Sequence, residues 1–167
     1  MDGSIAKETV LEVEDEVLIA WALRDVLERN GYAVVGPVAT QSAALDLMER
    51  EHPQMAVVDV RLKEGDGIST GQDMMRSRIG VLFLTGRGAK LVADSGLRTG
   101  VVEKPFRPES IAGASKAVRH FSETGKAPIE LQESSQSLDV IAIHTLRAVG
   151  KHSKLPQAIW AFEGAIP

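Results

Sequence analysis

Residues 55–67 read MAVVDVRLKEGDG, and the first five of them decide the fold. Met55-Ala56-Val57-Val58 is short, almost wholly apolar and rich in β-branched side chains, and it ends on a carboxylate, Asp59. Such a run reads as a strand buried on both faces, the kind found in the middle of a parallel sheet. The GDG that follows at 65–67 punctuates the chain before a helix. Asp59 then stands where a buried strand meets its loop, and in an open α/β sheet that edge is where ligands bind.

Working outward, the same grammar recurs. Thr9–Glu14 is a strand that runs into the acidic pair Glu14-Asp15, and Glu16–Asn30 a helix that stops at Gly31. Ala33–Val38 is the next strand and Gln41–Arg50 the next helix. After Asp59 a helix is expected to about Ser77, then a strand over Gly80–Thr85, a weak helix over Ala89–Leu97 and a short strand over Val101–Glu103. Pro108–Phe121 closes the series as a helix with proline in its first turn. Five strands interleaved with five helices predict a parallel sheet covered on both faces, joined by right-handed crossovers.

Composition narrows the possible functions. At 167 residues and 44% hydrophobic, the chain can bury one good core with a little to spare. The absence of cysteine excludes a disulfide framework and a thiolate zinc site. A net charge of −4 argues against holding nucleic acid by overall charge. With no apolar run of membrane-spanning length and no signal-like N-terminus, a soluble, cytoplasmic protein is the expectation.

Glu14, Asp15, Asp59, Thr85 and Lys104 all fall at strand ends, so one pocket could collect them. Three neighbouring carboxylates repel one another unless a cation neutralises them. A hard divalent ion with oxygen ligands, Mg2+ or Mn2+, suits that set. A lysine and a hydroxyl beside it suit phosphoryl transfer, which needs placement and charge neutralisation above all, and an aspartate can itself accept the phosphoryl as an acyl phosphate. Singly, each residue has an ordinary explanation as a helix cap, a turn residue or a solvated lysine. The joint occurrence is what makes the pattern specific.

Over residues 8 to 122 the sequence resembles the receiver domain of two-component response regulators. The resemblance rests on Glu14-Asp15, Asp59, Asp66-Gly67, Thr85-Gly86 and Lys104-Pro105-Phe106, in the family's order. It implies a flavodoxin-like (βα)5 doubly wound sheet of order 2-1-3-4-5. It also implies that Asp59 takes a phosphoryl group from a histidine kinase or phosphotransfer protein. Asp15, Asp59 and the main-chain carbonyl of Arg61 would ligate the metal, and Glu14 would hold a metal-bound water. Thr85 and Lys104 would grip the phosphoryl oxygens, with Lys104-Pro105 a cis peptide. FLTGRG is similar to the F-A-T-G variant of a subgroup of receivers that often stand alone.

Departures from the family pattern matter as well. Val101 occupies the place of a switch aromatic, and valine's stiff χ1 does not allow the same swing. Arg61 and Arg87 flank the phosphoryl position and are candidates to screen it from water. Lys63 replaces a common proline, which is expected to leave the loop after Asp59 less constrained. On the first helix Leu18 and Trp21 fall off the sheet-facing side.

Residues 1–122 are thus expected to form the receiver, 123–137 a linker and 138–167 a short helical tail, with helices over Leu138–Val149 and Pro156–Phe162. His144 sits in the first of these, with the ordinary reading of a surface or half-buried histidine. Four Lys or Arg against five Asp or Glu in residues 122–167, and the shortness of the segment, argue against a DNA-binding output. The expectation is a phosphoacceptor switch rather than an enzyme, with a kinase or phosphotransfer protein and a downstream protein as partners, and a homodimer as one use of the tail. A phosphate sink for a kinase, or a receiver-like binding module that is never phosphorylated, remain as alternatives.

Overall fold

The computed structural model describes residues 6–125 and 140–143. In chain order the elements are β1 (Thr9–Val13), α1 (Val17–Arg29), β2 (Ala33–Val38), α2 (Gln41–Glu51), β3 (Met55–Asp59), α3 (Gly67–Arg76), β4 (Gly80–Thr85), α4 (Ala89–Asp94), β5 (Thr99–Glu103), α5 (Pro108–Thr124) and β6 (Val140–Ile143). The sheet order is β2-β1-β3-β4-β5-β6. The first five strands are parallel, which is the flavodoxin-like doubly wound arrangement expected from the sequence.

Alternation along each strand divides the core in two. Val10, Val57, Leu82, Leu84 and Val102 pack with Leu23 and Leu27 of α1 and Ile111 and Val118 of α5. Leu11, Ala56, Val58, Phe83 and Val101 pack with Ala44 and Leu47 of α2, Met74 of α3 and Val92 of α4. Every residue of β3 and β4 is buried, as parallel strands covered by helices on both faces must be.

Local chemistry sets the helix ends. Thr40 caps α2 by accepting from Ala43 N, and Asp66 caps α3 by accepting from Ser69 N at 2.8 Å. Pro108 occupies the first turn of α5, which ends on left-handed Gly125. β5 begins at Thr99 rather than Val101: Gly100 pairs with Leu82 of β4 and Thr99 with Ile143, and glycine suits position 100 because a side chain there would crowd Val118 of α5.

The C-terminal expectation is corrected at one place. Residues 140–143, expected within a helix over Leu138–Val149, form β6 and pair antiparallel with β5, with Val102 opposite Val140 and Thr99 opposite Ile143. The β-branched run Val140-Ile141-Ala142-Ile143 suits a strand, and β5 would otherwise end the sheet with one side unpaired. The remainder of the expected linker and tail, including His144 and Pro156–Phe162, lies outside the described residues. Among the described residues, no helix is long and apolar enough to cross a membrane.

Candidate functional site

The parallel strands all deliver their carboxyl ends to one edge, and the five expected side chains meet there. Glu14 and Asp15 follow β1, Asp59 ends β3, Thr85 ends β4 and Lys104 follows β5. Glu14, Asp59 and Thr85 are almost wholly buried.

Lys104 is the hub. Its Nζ lies 2.6 Å from Glu14 Oε2 and 2.8 Å from Asp59 Oδ2. Glu16, at 3.8 Å, is a more distant third carboxylate. The peptide bond between Lys104 and Pro105 is cis, as anticipated, and so is that between Gly36 and Pro37, which the sequence does not signal. Burial acts against the Lys104 ammonium, but its hydrogen bonds to Asp59 and Glu14 outweigh it and hold the pKa above that of an ordinary lysine. Burial pushes the Glu14 carboxyl up, and the hydrogen bond from Lys104 works against that rise.

The backbone completes the arrangement. Asp59 Oδ1 accepts from Arg61 N at 3.0 Å, and Glu14 Oε1 accepts from Glu16 N at 3.0 Å. Thr85 Oγ1 accepts from the N–H groups of Arg87 and Gly88, so what it can still offer an anion is its proton. Lys104 N donates to Thr85 O at 2.7 Å and ties the ends of β4 and β5 together. Gly67 opens α3 directly against Asp59, and a Cβ at that position would fall onto the Asp59 carbonyl oxygen.

Glu14, Asp15 and Asp59 each offer a carboxylate oxygen, all within 4.8 Å of one another. This all-oxygen donor set fits a hard divalent cation such as Mg2+. Lys63 Nζ is 3.7 Å from Asp15 Oδ2. Lys104 and Lys63 between them therefore contact all three carboxylates.

Four sequence expectations gain a structural context. Val101 is fully buried in the core beneath α4, the setting of a fixed packing residue. Arg61 and Arg87 are both exposed beside the pocket. The loop after Asp59 is held despite the missing proline, since Gln41 N donates to Glu64 O at 3.2 Å and Asp66 N to Gln41 Oε1 at 3.3 Å. On α1, Leu18 and Trp21 are exposed, as the helical spacing predicts.

Sequence reasoning missed Glu12. This β1 residue is completely buried; among the described residues neither of its carboxylate oxygens has a hydrogen-bond partner, and the nearest cation, Arg24 Nε, is 3.9 Å away. Arg24 spends a hydrogen bond on Gly36 O instead. Burial pushes the Glu12 carboxyl up to about 7, with Arg24 opposing the shift. The available signal was a carboxylate between apolar neighbours in a central strand.

Residues 10–116 match the family model described as the response regulator receiver domain. The alkaline phosphatase synthesis transcriptional regulatory protein PhoP of Bacillus subtilis (strain 168) is 30% identical over 148 residues, which cover 86% of this chain and 61% of that protein. The transcriptional regulatory protein PdtaR of Mycobacterium tuberculosis H37Rv is 28% identical over 110 residues, 65% of this chain and 54% of its own. The chain thus spans little more than half the length of these relatives. Among solved structures, the solution structure of the receiver domain of the response regulator PhyR from Erythrobacter litoralis has a TM-score of 0.66 and 26% identity, covering 75% of this chain and 100% of that domain.

Proposed function

The chain belongs to the response regulator receiver family, and from that premise we propose that it accepts a phosphoryl group on Asp59 and passes the signal on through phosphorylation-dependent protein contacts. The observation that carries this reading is the bridge from Lys104 Nζ to both Glu14 and Asp59, at the sheet edge where Thr85 ends the neighbouring strand β4. It leaves a buried carboxylate facing a pocket already equipped with positive charge and a hydroxyl donor.

An Asp59 carboxylate oxygen attacks the phosphorus, and the bond from phosphorus to the donor's imidazole nitrogen, or to the oxygen of a small phosphodonor, breaks. The product is an acyl phosphate, and water later returns it to carboxylate and inorganic phosphate. Lys104 stays protonated and moves from the free carboxylate to a phosphoryl oxygen. Thr85 donates its proton to a second oxygen. Asp15, Asp59 and the main-chain carbonyl of Arg61 would hold Mg2+ or Mn2+, with Glu14 acting through a water. Bound there, the ion supplies charge neutralisation to the phosphoryl oxygens.

The donor is a histidine kinase or phosphotransfer protein, and the receiver of the signal is a downstream protein. Thr85 is coupled to the α4 side of the sheet through Lys104 N and the Arg87-Gly88 turn, so drawing its side chain toward a phosphoryl group shifts that face between two states. One observation favours a second reading. Val101, short and packed in the core, offers no swinging side chain on β5, so a phosphate sink that drains a kinase would need nothing that this chain lacks.

Intact-protein mass after incubation with Mg2+ and acetyl phosphate, beside an Asp59→Asn control, tests the proposal. One added phosphoryl in the parent chain and none in the control is the expected result. A parent chain that gains nothing while it binds Mg2+ overturns it. Decay of the adduct within seconds favours the sink, and persistence for minutes favours the switch.

A further inference from the structure

Lys63 is a residue near the pocket that the proposed chemistry leaves unused, and it is ion-paired with one of the pocket's carboxylates. It extends from the loop between β3 and α3, its side chain 77% exposed, yet its Nζ reaches to 3.7 Å from Asp15 Oδ2, whose side chain is only 7% exposed. Nor is its approach that of a wandering loop. The backbone on either side is fixed, with Arg61 N bound to Asp59 Oδ1 and Glu64 O accepting from Gln41 N. Lys104 plays a different part: only 12% of its side chain is exposed and it bridges two buried carboxylates, so it stays within the site.

We propose that Lys63 is a built-in competitor for the divalent cation, an ammonium that occupies the solvent side of Asp15 in the metal-free protein and weakens Mg2+ binding. This rests on the metal reading given under the proposed function, and concerns a residue outside the ligand set. A divalent ion at Glu14, Asp15 and Asp59 would lie within a few ångströms of the Lys63 ammonium. Repulsion between the two, together with loss of the contact to Asp15, disfavours binding. The long exposed stem lets the lysine swing away, so the penalty is modest, about three- to tenfold in Kd at low ionic strength. Because the ammonium is solvated, salt screens the effect. Lys63 thereby blunts the dependence of metal occupancy on ionic strength, because its repulsion offsets the pull of the carboxylates most where salt is low.

Calorimetric titration of the full chain with MgCl2 tests this without any phosphorylation step. Lys63→Ala and Lys63→Met are expected to bind Mg2+ about three- to tenfold more tightly than the parent at about 0.02 M salt, and within about twofold of it at about 0.5 M. Lys63→Arg, which keeps the charge, should match the parent. Equal affinities at low salt, with Asp15→Asn still weakening binding, overturn the inference and leave the metal reading standing. Tightening that salt does not diminish also overturns it. A parent chain that binds no Mg2+ overturns the metal reading itself, so the two failures are distinct.

Discussion

Glu12 and Glu14 stand two residues apart along β1 and its end, and both are buried, yet they live in opposite circumstances. Glu14 lies at the sheet's carboxyl edge, where Lys104 and the backbone of Glu16 occupy both its oxygens. Glu12 lies beneath α1, its oxygens without a hydrogen-bond partner among the described residues and Arg24 at the outer limit of an ion pair. The difference teaches that burial alone does not make a carboxylate functional. At the edge, parallel strands end side by side and their loops bring donors; deeper along β1, Glu12 sits among apolar side chains with Arg24 only at 3.9 Å. A buried carboxyl without donors escapes its desolvation cost by holding a proton.

Removing the edge's cation is the strongest way to break this contrast. Lys104→Met leaves Glu14 and Asp59 buried together without a counter-charge, and is expected to cost about 3 kcal/mol of unfolding free energy in metal-free buffer. Urea titration reads this, and adding Mg2+ should return part of the loss, because a cation bound only by the folded state stabilises it. A loss below about 1 kcal/mol would mean that the edge is no better compensated than the Glu12 site.

The opposite experiment takes the charge out from beneath α1. With a folded pKa near 7 against an ordinary value of 4.5, Glu12 keeps its proton in the folded chain after the unfolded chain has released it. Its contribution to stability therefore falls as pH rises between those two values and stays fully unfavourable above about 7. Glu12→Gln should be more stable than the parent by about 2 kcal/mol at pH 8 and nearly equal to it at pH 4.5, measured by urea titration across that range. A difference that does not change with pH would place Glu12 among ordinary, well-paired carboxylates.

The smallest effect sharpens the edge itself. Lys63→Ala should change unfolding free energy by less than about 0.5 kcal/mol, because the lysine is mostly solvated. A thermal melt of metal-free protein checks it. Near-neutral stability beside tighter Mg2+ binding would separate what holds the fold from what tunes the site.

How much of this was legible depended on the range of the information. Asp59, Thr85 and Lys104 each terminate a β-branched run, so strand pattern alone places them at one edge. The boundaries of β2, β3 and β4 match the expected ones for the same reason. Residues 140–143 misled because the apolar spacing from Leu138 to Val149 fits a helix, while the outcome depended on a partner about forty residues back, the free side of β5. Lys63 was visible only as a missing proline. Its reach to Asp15 follows from pins at Gln41 and Glu64 that join two loops distant in sequence. Glu12 lay hidden inside a strand pattern that otherwise scored as apolar.

The margins of the sheet carry one last consequence. On one flank, Pro37 sits in β2, where its lack of an N–H removes a donor from the outer row. On the other, β6 lies along β5 and covers the stretch Thr99-Gly100-Val101-Val102. A bare β5 would present an apolar, β-branched template to any extended chain nearby, the usual seed of sheet-to-sheet growth. Shortening the protein before residue 140 would therefore uncover a sticky border, and the damage would show first as lost colloidal stability at high concentration, with the carboxylate pocket at the sheet's edge still intact.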